Sequence, residues 1–425
     1  MSAVAIHVVR RLPLARPLAV RDFRLLWVGE IISMTGSSFT SVALAWLALQ
    51  LTGSGLALGT VLLVGSIPRI VLILIGGAIT DRYSAWRVAL IANTILGVTM
   101  AALAALTILH LVQLWQLYTV ALITGASSAF FFPAIFSLVP RTLDAELLGP
   151  GNALMEAANG VTSFLGPAAA GVLIATIGRL SGTGAAFAVD AASFGVAMMT
   201  LLLMSSGIRL AIRSGEPAAV GAAHLRELLR LVWSGLTYAW RDAGLRAFLL
   251  ILTVANLCFY GPYQVGLAAL AAHRFSQGAA ALGILYGAWG AGSLLGTLVA
   301  GLVGRVRRYG LLLIAGPLVY GICFTLIGFA PTLAPATVLV VIIGISSGIN
   351  NVIFATWLQV RTAPSMLGRV TSLLGLAGLG LTPLSYALSG FLVDVNPTLT
   401  FVLAGGILFA VAGVAATQRA VRTME

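Results

Sequence analysis

The sequence predicts an all-α polytopic membrane protein with twelve transmembrane helices. Three observations carry that expectation. The 425 residues are 60% hydrophobic and 8% charged, with a mean hydropathy of +1.05, more apolar surface than a soluble core hides. Apolar stretches of about 20 residues, enough to cross roughly 30 Å of hydrocarbon as helix, recur from end to end. The basic residues, all of them arginine, fall almost entirely between those stretches. Backbone groups in hydrocarbon must be paired internally, so each span is expected as a helix.

The first six spans are expected near 24–49, 55–80, 88–109, 114–139, 151–178 and 183–205. The second six are expected near 245–272, 279–303, 309–330, 333–359, 366–393 and 397–418. Loop charge orders them. Arg10, Arg11, Arg16, Arg21 and Arg24 precede the first span, Arg82 and Arg87 follow the second, and Arg141 follows the fourth. Arg305, Arg307 and Arg308 follow the eighth; Arg361 and Arg369 separate the tenth from the eleventh; Arg419 and Arg422 end the chain. The opposite loops carry only Arg179 and Arg274. The positive-inside rule therefore places both termini and the central loop in the cytoplasm.

The domain layout expected is an N-terminal six-helix bundle over 1–205, a cytoplasmic linker over 206–244 and a C-terminal six-helix bundle over 245–425. In the linker, Leu225, Leu228, Leu229, Val232 and Leu236 recur at helical spacing. That pattern fits an amphipathic helix on the membrane surface or a plain connecting helix. The halves echo each other. Gly77-x-x-x-Asp81-Arg82 follows the second span, and Gly301-x-x-x-Arg305, with Arg307 and Arg308, follows the eighth. Two related six-helix halves fit a pseudo-two-fold axis along the membrane normal.

Several function classes are excluded. The N-terminus reads as a basic tail, without the apolar core and cleavage site of a signal peptide. The net charge of +12 is spread over the loops rather than gathered into a nucleic-acid-binding patch. Cys258 and Cys323 both fall inside spans, so no structural disulfide is expected. The four histidines lack ligand spacing, so no metal is expected, nor any cofactor. No HExxH, GxSxG or Walker pattern occurs, which speaks against a membrane enzyme or an ATP-driven pump.

The stretch "GGAITDRYSAWR", between the second and third spans, resembles the signature of the major facilitator superfamily. Gly77, Asp81 and Arg82 match it. Ser84, Ala85 and Trp86 depart from the usual glycine and basic residues, leaving Arg87 to supply the later charge. The resemblance implies a cytoplasmic latch, in which the aspartate meets a helix N-terminus of the other bundle. It extends over nearly the whole chain. "FFFPAIFSLVPRTLDAELLGPGNAL" and "WLQVRTAPSMLGRVTSL" are similar to the branch that holds macrolide-efflux proteins and enterobactin exporters. Ser37 departs from the acid common in that branch after the glycine of the first span. In the fifth span Gly160, Gly166, Pro167 and Gly171 resemble the antiporter element, with Phe164 and Ala170 replacing two of its glycines. Such glycines are expected to pack tightly against span eight, which offers Gly287, Gly290, Gly292 and Gly296.

Ionisable groups inside spans are costly and call for an explanation each. Glu30, Glu156 and Asp190 are the candidate proton-coupling residues. Glu156 shares a helical stripe with Asn152 and Asn159. Asp190 lies on the sixth span, which is peripheral in this family, and a structural role is the favoured reading there. Arg69, which keeps its proton, is the candidate cavity charge: a counter-ion to Glu30 or Glu156, or a handle for an acidic substrate group. Spans four, seven and ten line the cavity in the family. On them lie the substrate-cavity candidates Phe130, Phe131, Tyr260, Tyr263, Gln264, Asn350, Asn351, Trp357 and Gln359. Aromatics with a few amides suit a bulky amphipathic ligand, and each also suits plain packing.

The resulting expectation is a monomeric secondary transporter of the inner membrane, its partners a small molecule, protons and the lipid bilayer. It exports amphipathic molecules as its two bundles rock about a midplane site. Uptake or facilitated transport of a lipid-like or nutrient solute would use the same fold.

Overall fold

The computed structural model describes residues 13–205, 207–208, 233, 236–303 and 308–422. Among them there are helices and connections but no strand. The first six spans are α1 (Arg21–Thr52), α2 (Gly55–Arg82), α3 (Ala85–Ile108), α4 (Leu114–Thr142), α5 (Ala145–Ile177) and α6 (Arg179–Leu202). The second six are α7 (Ala243–His273), α8 (Ala279–Val303), α9 (Tyr309–Phe329), α10 (Leu333–Arg361), α11 (Pro364–Leu379 and Thr382–Val395) and α12 (Pro397–Thr417). Each of the twelve is long and apolar enough to span a bilayer. Large apolar side chains remain uncovered, with Phe136 76% and Leu302 88% exposed. Exposure on that scale is stable against lipid and not against water. This is a multi-pass membrane protein.

Two boundaries differ from expectation. The fifth span, expected from 151, starts as α5 at Ala145 and carries both Pro150 and Pro167 within it. A proline removes one backbone donor and leaves the remaining ladder in place. The eleventh span, read as continuous, is broken at Gly380 and Leu381, just ahead of Pro383 at the start of its second piece. Most of the expected surface helix of the linker, from Leu225 to Val232, lies outside the described residues, as do Arg305 and Arg307.

Packing divides the chain into two compact units. Unit 1 holds Met1–Leu44 and Val64–Val220; unit 2 holds Ala45–Leu63 and Gly221–Glu425. The last part of α1 and the first part of α2 thus group with unit 2. Glycine sets the same helix pairings in both units. In unit 1, a Cβ on Gly125 of α4 would strike the backbone of Gly65 on α2, and one on Gly76 would strike that of Ala129. In unit 2, Gly292 and Gly296 of α8 meet α10 at Gly344 and Ile345 in the same manner. These two glycines, among those expected to form a packing face on span eight, face α10. The α3–α6 contact at Gly97 and Phe194 is matched by α9–α12 at Gly321 and Gly405. Pairings 2–4 and 3–6 recur as 8–10 and 9–12, a shift of six helices. In hydrocarbon, where burial of apolar surface gives no drive, such close backbone approach is what holds helices together.

Each unit gathers a core at its arginine-rich end. In unit 1 it contains Phe23, Leu26, Phe131, Ile135, Leu138 and Met204. In unit 2 it contains Phe248, Leu313, Phe354, Trp357, Leu373 and Val421. Polar clamps close those ends. Ser205 N–H donates to Asp22 at 3.0 Å, and Trp86 Nε1 donates to the Leu201 carbonyl at 2.7 Å. In unit 2, Asp242 caps α7 by accepting from Gly244 and Leu245 N–H, and pairs with Arg361 at 3.0 Å. Arg274, one of the two arginines on the other side, is held there by bonds to the Gly328 carbonyl at 2.7 Å and Thr398 Oγ1 at 2.9 Å.

Candidate functional site: polar and aromatic groups within the spans

In unit 1 the four intramembrane charges are treated differently. Glu30, in the interior of α1, is only 7% exposed. Among the described residues it makes no hydrogen bond and no ion pair. Asp190 of α6 is buried and satisfied: Thr40 Oγ1 of α1 donates to its Oδ2 at 2.5 Å, and Ser193 Oγ to its Oδ1 at 3.2 Å. Gly36 makes room for this, since a Cβ there would strike Ser193 Oγ and Asp190 Oδ1. Asp190 therefore ties α1 to α6. Glu156 is exposed on α5, together with Asn152 and Asn159 on the same stripe.

Arg69 pairs with neither Glu30 nor Glu156 among the described residues. Its Nε is buried without a hydrogen-bond partner. Its guanidinium carbon stands 5.0 Å from the centroid of the Phe132 ring, a cation–π contact. Pro68 and Pro133 adjoin the two residues. Each removes a helical donor, leaving the carbonyls of Val64 and Ala129 without their usual intrahelical partner. Irregular backbone at such depth is tolerated where protein or water surrounds it. Of the expected cavity aromatics on α4, Phe131 is buried in the unit 1 core and Phe130 packs against that core. Phe132, not singled out from sequence, is the one beside the cation.

The antiporter-like element faces α1. A Cβ on Gly166 would strike the Ser38 side chain, and Pro167 and Gly171 are buried behind it; Gly160 is half-buried. In the latch stretch, the side chains of Asp81 and Arg82 lie outside the described set. A Cβ on Gly77 would meet no described atom, and Arg87 is exposed.

Unit 2 carries an aromatic cluster built around an irregular turn of α7. Residues Pro262–Gly266 form a π turn, closed by a bond from Leu267 N–H to the Pro262 carbonyl. Just before it, Ser385 of α11 enters the helix ladder. Gly261 N–H donates to Ser385 Oγ at 2.7 Å, and that hydroxyl donates to the Leu257 carbonyl at 2.5 Å. A side chain thus relays the bond that the helix would make itself. The turn presents Tyr263, stacked on Phe259 at 5.3 Å and on Tyr286 at 4.9 Å. Tyr286 donates to Gln264 at the carbonyl, 2.9 Å, and at Oε1, 3.0 Å. Trp289 closes against Tyr263 at 5.4 Å, and its indole N–H is buried without a partner among the described residues. Tyr260 stands edge-on to Phe259.

The remaining cavity candidates lie in other settings. Asn350 faces Gly316 of α9 and reaches the cluster through a hydrogen bond to Tyr320, whose ring lies 5.8 Å from Phe259, while Asn351 and Gln359 are exposed. Trp357 lies in the unit 2 core against Phe248, with the Arg361 guanidinium over it at 5.6 Å. Phe259, Tyr286 and Trp289 were missed in the sequence; the signal available was Pro262 inside an apolar span. Ser385→Ala is expected to strand the Gly261 donor and the Leu257 acceptor. The loss should be about 1–3 kcal/mol of stability, read as a lower unfolding midpoint of the purified protein, with Ser385→Thr recovering most of it.

Comparisons with known proteins agree with this architecture. A solved POT family transporter in complex with 5-aminolevulinic acid superposes with a TM-score of 0.71 over 94% of this chain and 95% of its own, at 13% identity. Nucleoside transporter NupG gives 0.71 over 93% and 98%, also at 13%. Multidrug efflux pump Tap of Mycolicibacterium fortuitum is 26% identical, covering 87% of this chain and 88% of its own. Macrolide efflux protein A of Streptococcus pyogenes is 23% identical over 95% and 97%. Enterobactin exporter EntS of Shigella boydii is 24% identical over 83% and 80%. The family model of the Major Facilitator Superfamily matches residues 26–381. With twelve spans paired as two repeats of six, and that match over most of its length, the chain belongs to the Major Facilitator Superfamily of transporters.

Proposed function

We propose that the protein exports small amphipathic molecules from the cell in exchange for protons, by alternating access. The observation that carries the direction is that relatives with three differently named cargoes, Tap, macrolide efflux protein A and EntS, share one word-sense: they move their cargo out. Coupling to protons is supported by Glu30, a buried carboxyl with neither cation nor donor beside it among the described residues. Such a group is free to take up and release a proton as the site opens to either side. An amphipathic cargo is supported by the aromatic cluster of Phe259, Tyr263, Tyr286 and Trp289, with Gln264 and the free indole N–H as polar marks. Glu156 is the second proton candidate, and Asp190 the structural one. The arginine-rich side is assigned to the cytoplasm of an inner-membrane protein, with Gly77, Asp81, Arg82 and Arg87 as its latch. The functional unit is assigned as the monomer.

The test is accumulation of macrolides, lipophilic dyes and siderophores in efflux-deficient cells expressing the protein, with and without a protonophore. Lower accumulation that the protonophore abolishes is expected for at least one compound. Higher accumulation would reverse the direction, and insensitivity to the protonophore would remove the proton.

A further inference from the structure

Arg69 is the fifteenth of the 28 residues of α2, at the middle of the span. An arginine at that depth stays charged and needs an acceptor. Its own helix offers no carboxylate there: the neighbours at helical spacing are Gly65, Ser66, Leu72 and Ile73. Helix α4, against which this face of α2 packs at Gly65 and Gly76, contains no acid from Leu114 to Thr142. The three acids expected at membrane depth, Glu30, Glu156 and Asp190, are accounted for without it. Asp190 is bonded to Thr40 and Ser193, and neither Glu30 nor Glu156 reaches Arg69. The buried Nε lacks a partner, while the residue as a whole is half-buried, so its terminal nitrogens remain reachable. Beside them the Phe132 ring is 39% exposed. The cation and the open ring face stand together, fixed by glycine-tight packing of the two helices.

We propose that Arg69 and Phe132 form a selectivity site for amphipathic organic anions. The guanidinium takes an acidic head in a bidentate, charge-assisted contact, and the ring supports the apolar body next to it. A substrate of this class supplies the counter-charge that Arg69 lacks among the described residues. A cationic amphipath meets repulsion at the same place, so the site both selects and rejects. The inference rests on the transport reading of the same protein and names its substrate class.

The test uses full-length protein in lipid nanodiscs, without any gradient, so that it reads binding and not direction or coupling. The probes share one fluorescent body: dansylglycine (anionic), dansylamide (neutral) and dansylcholine (cationic). The wild type is expected to bind dansylglycine at least about tenfold more tightly than dansylamide, one charge-assisted contact's worth, and dansylcholine more weakly than either. Arg69→Gln is expected to erase the preference for dansylglycine while keeping dansylamide affinity, which also reports folding. Arg69→Lys retains the charge and is expected to keep part of the preference. Equal or weaker binding of dansylglycine than dansylamide by the wild type, including no binding of either, overturns the proposal. So does a preference that survives in Arg69→Gln.

Discussion

Glu30→Gln is expected to abolish gradient-driven accumulation while leaving a folded, inserted protein that still exchanges substrate. Glutamine has the shape of the protonated acid and cannot release its proton. In wild-type proteoliposomes, one pH unit across the membrane can sustain up to about a tenfold substrate gradient for one-for-one exchange, since each factor of ten is about 1.4 kcal/mol. In the variant the ratio is expected to fall to unity. Substrate counterflow, which needs alternation but no proton, should persist. The reason lies in differential binding: a ligand shifts a two-state equilibrium only as far as it prefers one state. Removing the exchangeable proton removes that preference and leaves the motion. Glu30 suits the part because no salt bridge or donor must be broken at each turn of the cycle. Retained accumulation in Glu30→Gln would move the role to Glu156, and retention in the double variant with Glu156→Gln would end the proton-coupling reading. Asp190→Asn is a useful contrast, since its carboxylate is engaged by Thr40 and Ser193 and its loss should act on α1–α6 packing.

The twelve spans were legible because lipid allows few solutions. A backbone that cannot bond to solvent must be helical, so apolar length alone marks each span. Glu30 and Arg69 were legible for the complementary reason: a charge in that setting is conspicuous. Their surroundings were not. Phe130, Phe131 and Phe132 are consecutive, and successive residues on a helix turn by about 100°. Composition cannot say which of the three meets the cation and which enters the core; only the register of α4 on α2, set by Gly125 and Gly65, decides. The relayed turn ahead of the π turn was hidden likewise, because Ser385, which bridges Gly261 and Leu257, is more than a hundred residues away. The glycines of α8 were visible as a packing face, but their partner was not, since glycine permits contact without naming it. Asp394 was overlooked altogether. It falls one residue beyond the predicted end of the eleventh span, where an acid reads as a solvated loop residue.

Asp394→Ala is expected to release the first turn of α2. This carboxylate, at the end of α11, accepts from Ser54 Oγ at 2.6 Å, from Gly55 N–H and from Leu56 N–H at 3.2 Å. Ser54 Oγ in turn accepts from Ala57 N–H at 3.2 Å. An acid from one helix thus caps another, where the orphan donors and the helix dipole both favour negative charge. The seam beneath is glycine-made: a Cβ on Gly59 would strike the Tyr386 carbonyl, and one on Gly390 the Gly55 carbonyl. Gly53, with φ +65°, makes the turn that brings α2 to this place. The cap lies wholly within unit 2, which holds the first part of α2 together with α11. On the proposed orientation it lies on the outer side, where export requires an exit. Asp394→Ala should cost the closed seam about 1–2 kcal/mol, the range for a helix cap, or roughly a tenfold shift in its opening equilibrium. A single cysteine at Leu56 reads this directly. Its labelling by a membrane-impermeant maleimide should speed up about tenfold in Asp394→Ala, and much less in Asp394→Asn, which keeps an acceptor. Unchanged labelling in Asp394→Ala would mean that the glycine seam alone keeps this end of α2 closed.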